Sequence, residues 1–215
     1  MIHCYVNVYK RIDLAVQTVK SLRENASENF PITVIDDGGG CDTTELAIHA
    51  DQVITWPHKG QGEARRAAME LFLDETDPGE SDCYGLFVDG DMTFSKHYDA
   101  FCYECVASHA LRPFFWVSPY RSAKHVKSDR QWEFETVLGH AFGGATLYGH
   151  RKLVKRSLEL MPEEWSHAYD WDLVTISCGC FKPIQSLANH AGVMVPGSLH
   201  MDPEEVAYGL PPVGA

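Results

Sequence analysis

Tyr84-Gly85-Leu86-Phe87-Val88-Asp89-Gly90-Asp91 is a short apolar run that ends in two carboxylates one residue apart. A run of this length between polar stretches reads as a buried strand. In extended backbone, residues i and i+2 point to the same side, so Asp89 and Asp91 are expected to converge on one cation. A hard divalent ion held by one or two carboxylates keeps positions open for substrate phosphates. Taken alone, the same residues also describe a strand entering an ordinary Asp-Gly turn. Upstream, Ile32-Thr33-Val34-Ile35 is a second, β-branched run, and it ends in Asp36-Asp37-Gly38-Gly39-Gly40. Two strands that each end in an acidic loop suggest a parallel sheet whose carboxyl edge carries the ligand site.

The surrounding sequence supports that arrangement. Residues 2–8 read as a first strand, followed by a helix with Ile12, Ala15, Val16, Val19 and Leu22 on one face. Gln52-Val53-Ile54-Thr55 is a short third strand. Gly60-Gln61-Gly62-Glu63-Ala64-Arg65-Arg66 opens a helix that buries Ala64, Ala67, Ala68, Leu71 and Phe72. Strand 84–88 precedes a helix over 97–110. This alternation predicts a parallel sheet covered on both faces. Further on, Phe114-Phe115-Trp116-Val117-Ser118 reads as a strand, 119–135 is polar and basic, and strand 144–148 leads into a helix at 150–161. Another helix is expected after Asp170, and the tail beyond His200 has little apolar pattern.

Bulk properties narrow the classes. A chain of 215 residues with 45% hydrophobic and 22% charged residues is expected to be one globular domain with a substantial core. A formal net charge of -12 argues against broad adhesion to nucleic acid or anionic membrane. Seven cysteines, an odd number, do not read as a disulfide framework. Cys102 and Cys105 have metal-like spacing, as do Cys178 and Cys180. Yet Tyr98, Cys102, Cys105, Val106 and His109 share a helical face, which favours the core over zinc. The first residues read as a strand rather than a signal peptide, and no apolar run approaches the roughly 20 residues needed to cross a bilayer. A cytoplasmic protein is the expectation.

Two further motifs follow: Gly143-Gly144-Ala145-Thr146-Leu147-Tyr148, and Asp170-Trp171-Asp172-Leu173. The ordered set resembles the family 2-like glycosyltransferases with the GT-A fold, over about Ile2 to His200. The resemblance implies a single α/β domain over 1–200 with a mostly parallel central sheet. Its nucleotide-binding half would cover about 1–110 and its acceptor-binding half about 111–200, with 201–215 as a tail. It implies a nucleotide-diphosphate sugar as donor, UDP being the default. Asp37 matches the acidic residue that contacts base or ribose, with Asp36 beside it. Arg65 matches the arginine placed near the nucleotide, although Arg66 stands where the family has asparagine. Asp89 and Asp91 match the D-x-D motif, whose Mn²⁺ or Mg²⁺ relieves charge on the leaving diphosphate. A C-terminal histidine often completes that shell in similar proteins, and His190 and His200 are the candidates. An imidazole ligand would tilt the choice toward manganese.

Tyr169-Asp170-Trp171-Asp172 resembles the family's Glu-Asp-Trp motif. The resemblance makes Asp170 the general base for an inverting attack by the acceptor. Tyr169 replaces the glutamate, which keeps Asp172 open as the alternative. Gly143-Gly144 would let backbone approach the sugar, or form a tight turn.

The acceptor is unidentified, a saccharide or a nucleic acid. Arg151, Lys152, Lys155 and Arg156 on one helix face, with Arg121, Lys124, Lys127 and Arg130 before them, are the features that suggest a polyanion. A solvated helix face is the usual explanation and the favoured one. A nucleotidyltransferase is disfavoured because Asn7-Val8-Tyr9-Lys10-Arg11 offers no glycine where a phosphate loop would lie. The remaining rival is a nucleotide-binding protein with a transferase-like fold and no turnover.

Overall fold

The computed structural model describes residues 1–108, 116–119, 135–136, 146–161, 180–182 and 188–190. The elements in chain order are β1 (Ile2–Val8), α1 (Ile12–Asn25), β2 (Ile32–Asp36), α2 (Thr44–His49), β3 (Gln52–Thr55), α3 (Gln61–Glu75), β4 (Tyr84–Asp89) and β5 (Met92–Phe94). They continue with α4 (Tyr98–Ser108), β6 (Trp116–Val117), β7 (Glu135–Thr136), β8 (Thr146–His150), α5 (Arg151–Leu160), β9 (Cys180–Lys182) and β10 (Ala188–His190). The main sheet has the order β3-β2-β1-β4-β8-β6-β9-β7, and β5 pairs with β10 in a second, two-stranded sheet.

Strands β3, β2, β1 and β4 are parallel neighbours. Strand β8 runs against β4 and β6, while β6 and β9 are again parallel and β7 runs against β9. The sheet is therefore mostly parallel, with β8 reversed inside it. β1 lies between β2 and β4, with Asn7 opposite both Ile35 and Asp89. Connections through α1, α2 and α3 bring every strand of this half back in the same direction, so the ends of β1, β2 and β4 share one edge.

The period-2 alternation of the strands sorts the core into two layers. Val6, Val8, Val34, Leu86 and Val88 face α1 and α4, meeting Ala15, Val16, Val19, Tyr98 and Cys102. Tyr5, Ile35 and Phe87 face the other way, toward Ala68, Met69 and Phe72 of α3 and Leu153 and Val154 of α5. The Phe72 ring meets Tyr5 and Phe87 edge-on, at centroid distances of 6.2 and 6.0 Å, a geometry that adds to simple area burial.

Tyr98, Cys102, Cys105 and Val106 are all buried, so the cysteine pair of α4 belongs to the core, as its helical spacing implied. Among the described residues no helix is long and apolar enough to cross a membrane. The basic face expected on α5 is smaller than its sequence suggests. Arg151 is tied down, its Nε donating to Thr76 Oγ1 and its Nη2 to the Leu73 carbonyl, both at 2.9 Å. Lys152, Lys155 and Arg156 remain exposed.

One buried carboxylate holds the end of α1 to the start of α4. Both oxygens of Asp99 accept from the Ser27 amide, at 2.9 and 2.8 Å, and Oδ2 also accepts from the Glu28 amide at 3.2 Å. Asp99→Ala leaves two amides unmet in a buried place and is expected to destabilise the fold by about 2 kcal/mol. Urea unfolding should show a lower midpoint at unchanged slope. A parental midpoint would mean that water replaces the carboxylate.

Candidate active site

The carboxyl edge of the parallel half gathers residues from four segments. Asp36 ends β2 and Asp37 follows it; Asp89 ends β4; Arg65 rises from α3; Arg11 precedes α1. Sequence alone leaves open whether these meet, and the structure brings them together in two linked groups.

In the first group Asp37 is buried and hydrogen-bonded on three sides. Its backbone amide donates to the Val8 carbonyl at 2.8 Å. Oδ1 accepts from the Lys59 amide at 3.2 Å, and Oδ2 lies 2.9 Å from His58 Nδ1. His58 stacks on Tyr9, with centroids 4.4 Å apart and planes 13° from parallel. The Lys10 ammonium lies 4.9 Å from the Tyr9 ring centre, within cation–π range. Asp36 turns back on the glycine loop, where its Oδ1 accepts from the Gly39 amide at 3.3 Å. Gly38 has φ +69°, and a Cβ there would stand 2.7 Å from the His58 nitrogen and 2.8 Å from the Trp56 carbonyl oxygen. Only glycine lets the loop after β2 press this closely on the segment that carries His58.

Burial is the main influence on Asp37 and raises its pKa, against the lowering effects of the Lys59 amide and His58. A carboxyl that holds its proton more tightly folded than unfolded adds stability in acid, and that contribution is lost as pH rises through the folded-state value. Asp37→Asn is therefore expected to melt above the parent at pH 7, the gap closing as pH falls toward 3.8, the ordinary carboxylate value. Melting curves across that range test it, and a gap that widens in acid would overturn it.

In the second group Arg65, only 4% exposed, donates from Nη2 to Asp89 Oδ1 at 2.6 Å, and Gln61 Nε2 approaches the same oxygen at 3.4 Å. Asp91 lies not in extended backbone but in the turn between β4 and β5. Its Oδ2 is 3.9 Å from Arg11 Nη1. The expectation that i, i+2 geometry alone aims both carboxylates alike is thus corrected. Arg65 holds Asp89 from the α3 side of the sheet, and Arg11 approaches Asp91 from the α1 side. Gly90 makes the turn possible, since a Cβ there would stand 2.9 Å from the Asn7 carbonyl oxygen and from Val8 Cγ2.

The donor set suits a hard divalent cation. Asp89 and Asp91 supply carboxylate oxygens, and one or two such ligands suffice when substrate phosphates complete the shell. Among the described residues no group of three His, Cys, Asp or Glu side chains could hold a metal by itself. β10 lies antiparallel to β5 with His190 opposite Met92, which places the backbone of that candidate ligand beside the turn bearing Asp91. His200, Asp170, Asp172 and the Gly143-Gly144 pair lie outside the described residues. Tyr9 and His58 were not singled out in the sequence. The only local signal for His58 is its position two residues before Gly60, where the α3 turn begins.

No family model matches this sequence, and no curated protein matches it. Solved structures do. S. aureus TarS 1–349 in complex with UDP-GlcNAc superposes with a TM-score of 0.63 at 16% identity, covering 96% of this chain and 64% of that one. S. aureus TarS gives 0.56 at 16% identity over 84% of this chain and 34% of that one. A further structure of TarS 1–349 gives 0.56 at 16% over 86% and 58%. The chain thus spans less than two thirds of the structures it matches. At this identity the likeness is one of fold, and the chain has a GT-A-type glycosyltransferase fold.

Proposed function

We propose that this chain is a family 2-like glycosyltransferase that moves a sugar from a UDP-sugar to an acceptor with inversion at the anomeric carbon. The observation that carries the reading is the convergence of Asp36, Asp37, Arg65, Asp89 and Asp91 on one sheet edge, in a fold shared with a structure that holds UDP-GlcNAc. A carboxylate buried after β2 can accept from an imide N–H of the base or from a hydroxyl. The Tyr9 and His58 rings offer a flat apolar surface beside it.

Asp89 and Asp91, with His190 or His200, would hold Mn²⁺ or Mg²⁺. The ion would supply charge relief at the departing diphosphate. Arg65 orients the Asp89 carboxylate, and Arg11 adds positive charge at the same edge. The acceptor hydroxyl would lose its proton to Asp170, or to Asp172, as it attacks opposite the leaving group. Acceptor choice is assigned to the 119–140 segment and the C-terminal region. Free thiols at Cys4, Cys41 and Cys83 accord with a reducing, cytoplasmic setting. A saccharide acceptor is preferred to nucleic acid, since the loss of Arg151 to internal bonds weakens the basic face that would favour a polyanion.

The test is a thermal-shift screen of UDP, UDP-GlcNAc, GDP, CMP and dTDP with Mn²⁺ or Mg²⁺. A ligand bound only by the folded state raises the melting temperature by mass action. A metal-dependent shift with UDP or UDP-GlcNAc, followed by release of UDP in the presence of an acceptor, is the expected result. Absence of a shift with every nucleotide would remove the donor site. Binding without turnover over a broad acceptor panel would favour the non-catalytic reading.

A further inference from the structure

We infer that the outer face of α3 and α5 is a self-complementary surface on which two copies of this chain pair about a two-fold axis. The acidic strip of α3 on each copy meets the basic strip of α5 on the other, whatever the carboxyl edge of the sheet binds. Each helix buries one side and turns the other to water. On α3, Ala64, Ala68, Met69 and Phe72 are buried, while Glu70 and Asp74 are exposed. On α5, Leu153, Val154 and Ser157 are buried, while Lys152 and Lys155 are exposed. The buried sides share one core cluster, so the two helices lie side by side.

Their register follows from Arg151, the first residue of α5, which donates to the Leu73 carbonyl and to Thr76 Oγ1 where α3 ends. Strand β8 runs against β4 and delivers α5 at that edge, so the two helices run in opposite directions. Counting along both from this anchor sets Lys152 level with Asp74, and Lys155 level with Glu70. Neither strip suits its own helix. Glu70 and Asp74 stand four residues apart, and Lys152 and Lys155 three, spacings at which like charges repel. Asp74 and Glu75 lie in the last turn of α3, and Arg151 and Lys152 in the first turn of α5. Both placements oppose the helix dipole, which favours anions at the amino end and cations at the carboxyl end.

The strips do not pair with each other. Among the described residues, none of Glu70, Asp74, Lys152 and Lys155 takes part in an ion pair. Adjacent strips of opposite sign find their complement on a second copy. A two-fold axis along the groove between the helices sets α3 of one copy over α5 of the other, twice, and keeps the levels matched. Leu160, 48% exposed at the end of α5, adds apolar area to the same face. The contact is small. Two such helices offer roughly 400 Å² per copy, against about 800 Å² per partner in a stable interface. The net charge of -12 opposes association elsewhere on the surface. The pair is therefore weak, held by charge and dissolved by salt.

Sedimentation velocity of the full chain, across a concentration series at about 20 mM and about 500 mM salt, tests the inference. At low salt the mean mass should climb toward twice the monomer's as concentration rises, and at high salt it should stay at the monomer's. Glu70→Lys and Lys155→Glu should each remain monomeric at low salt, because each sets like charges against one another at both symmetric contacts. An equimolar mixture of the two variants should pair again, and so should the chain carrying both exchanges, since opposite charges then meet at both contacts. Recovery in the mixture cannot come from a misfolded variant, so the result does not hang on the folding of either one. A parent that stays monomeric at low salt would overturn the inference. So would pairing that persists at high salt, pairing undiminished in either single variant, or a mixture that stays monomeric.

Discussion

Alanine at both Asp89 and Asp91 is expected to abolish the metal-dependent thermal shift with nucleotide and to lower sugar transfer about 10²–10³-fold, the usual loss when a group stabilising developing charge is removed. The two carboxylates do different work, so the single variants should separate. Asp89 is linked to the α3 face through Arg65 at 2.6 Å, whereas Asp91 sits in the turn with Arg11 3.9 Å away. Asp91→Asn should therefore weaken Mn²⁺ binding, read by electron paramagnetic resonance, while leaving the melting temperature near the parent's. Asp89→Asn should lose nucleotide affinity and some stability together. Equal Mn²⁺ affinity in Asp91→Asn and the parent would remove this turn from the metal site.

The second large effect is expected at Arg65. Its side chain is almost wholly buried, while that of Asp89 keeps 20% of its surface in water. Removing the guanidinium takes its charge from a partly buried carboxylate whose Oδ1 also lies 3.4 Å from Gln61 Nε2. Breaking such a pair from one side costs about 3 kcal/mol, the lower end for buried pairs because Asp89 is partly solvated. For a domain of this size that lowers the melting temperature by about 6–12 °C. Arg65→Ala should show this fall and lose UDP binding. Arg65→Lys should recover part of the stability but not the planar, forked contact. A melting temperature unchanged in Arg65→Ala would mean that the ion pair does not hold the edge together.

Much of the fold could be read from local pattern because β1, β2 and β4 are largely buried on both faces and rich in β-branched or aromatic residues. Ile32–Asp36 and Tyr84–Asp89 stand out between polar stretches for that reason. The expected helix over 97–110 is found as Tyr98–Ser108 and the strand expected at 144–148 as Thr146–His150, with 109–110 and 144–145 outside the described residues. Elements that sequence does not announce are short. Helix α2 has six residues and buries only Leu46, so it has no stripe to detect. Strands β5 and β10 have three residues each and exist because they pair with one another.

The site shows the same division. Asp36, Asp37, Asp89 and Asp91 are visible because they follow apolar runs. Tyr9 and His58 carry no such mark. They matter through a stack of two rings from segments far apart in sequence.

The pairing of β5 with β10 has a consequence for how the molecule assembles. Strands β1, β2 and β3 meet through single helical connections, so that part can zip up stepwise. Ile2 is matched to Tyr84 and Phe94 to Ala188, and closing loops that long is entropically slow. The turn that presents Asp91 is thus braced by one of the last ladders to form. Catalytic competence should lag behind collapse of the core during refolding, as a late-maturing piece of an otherwise early structure.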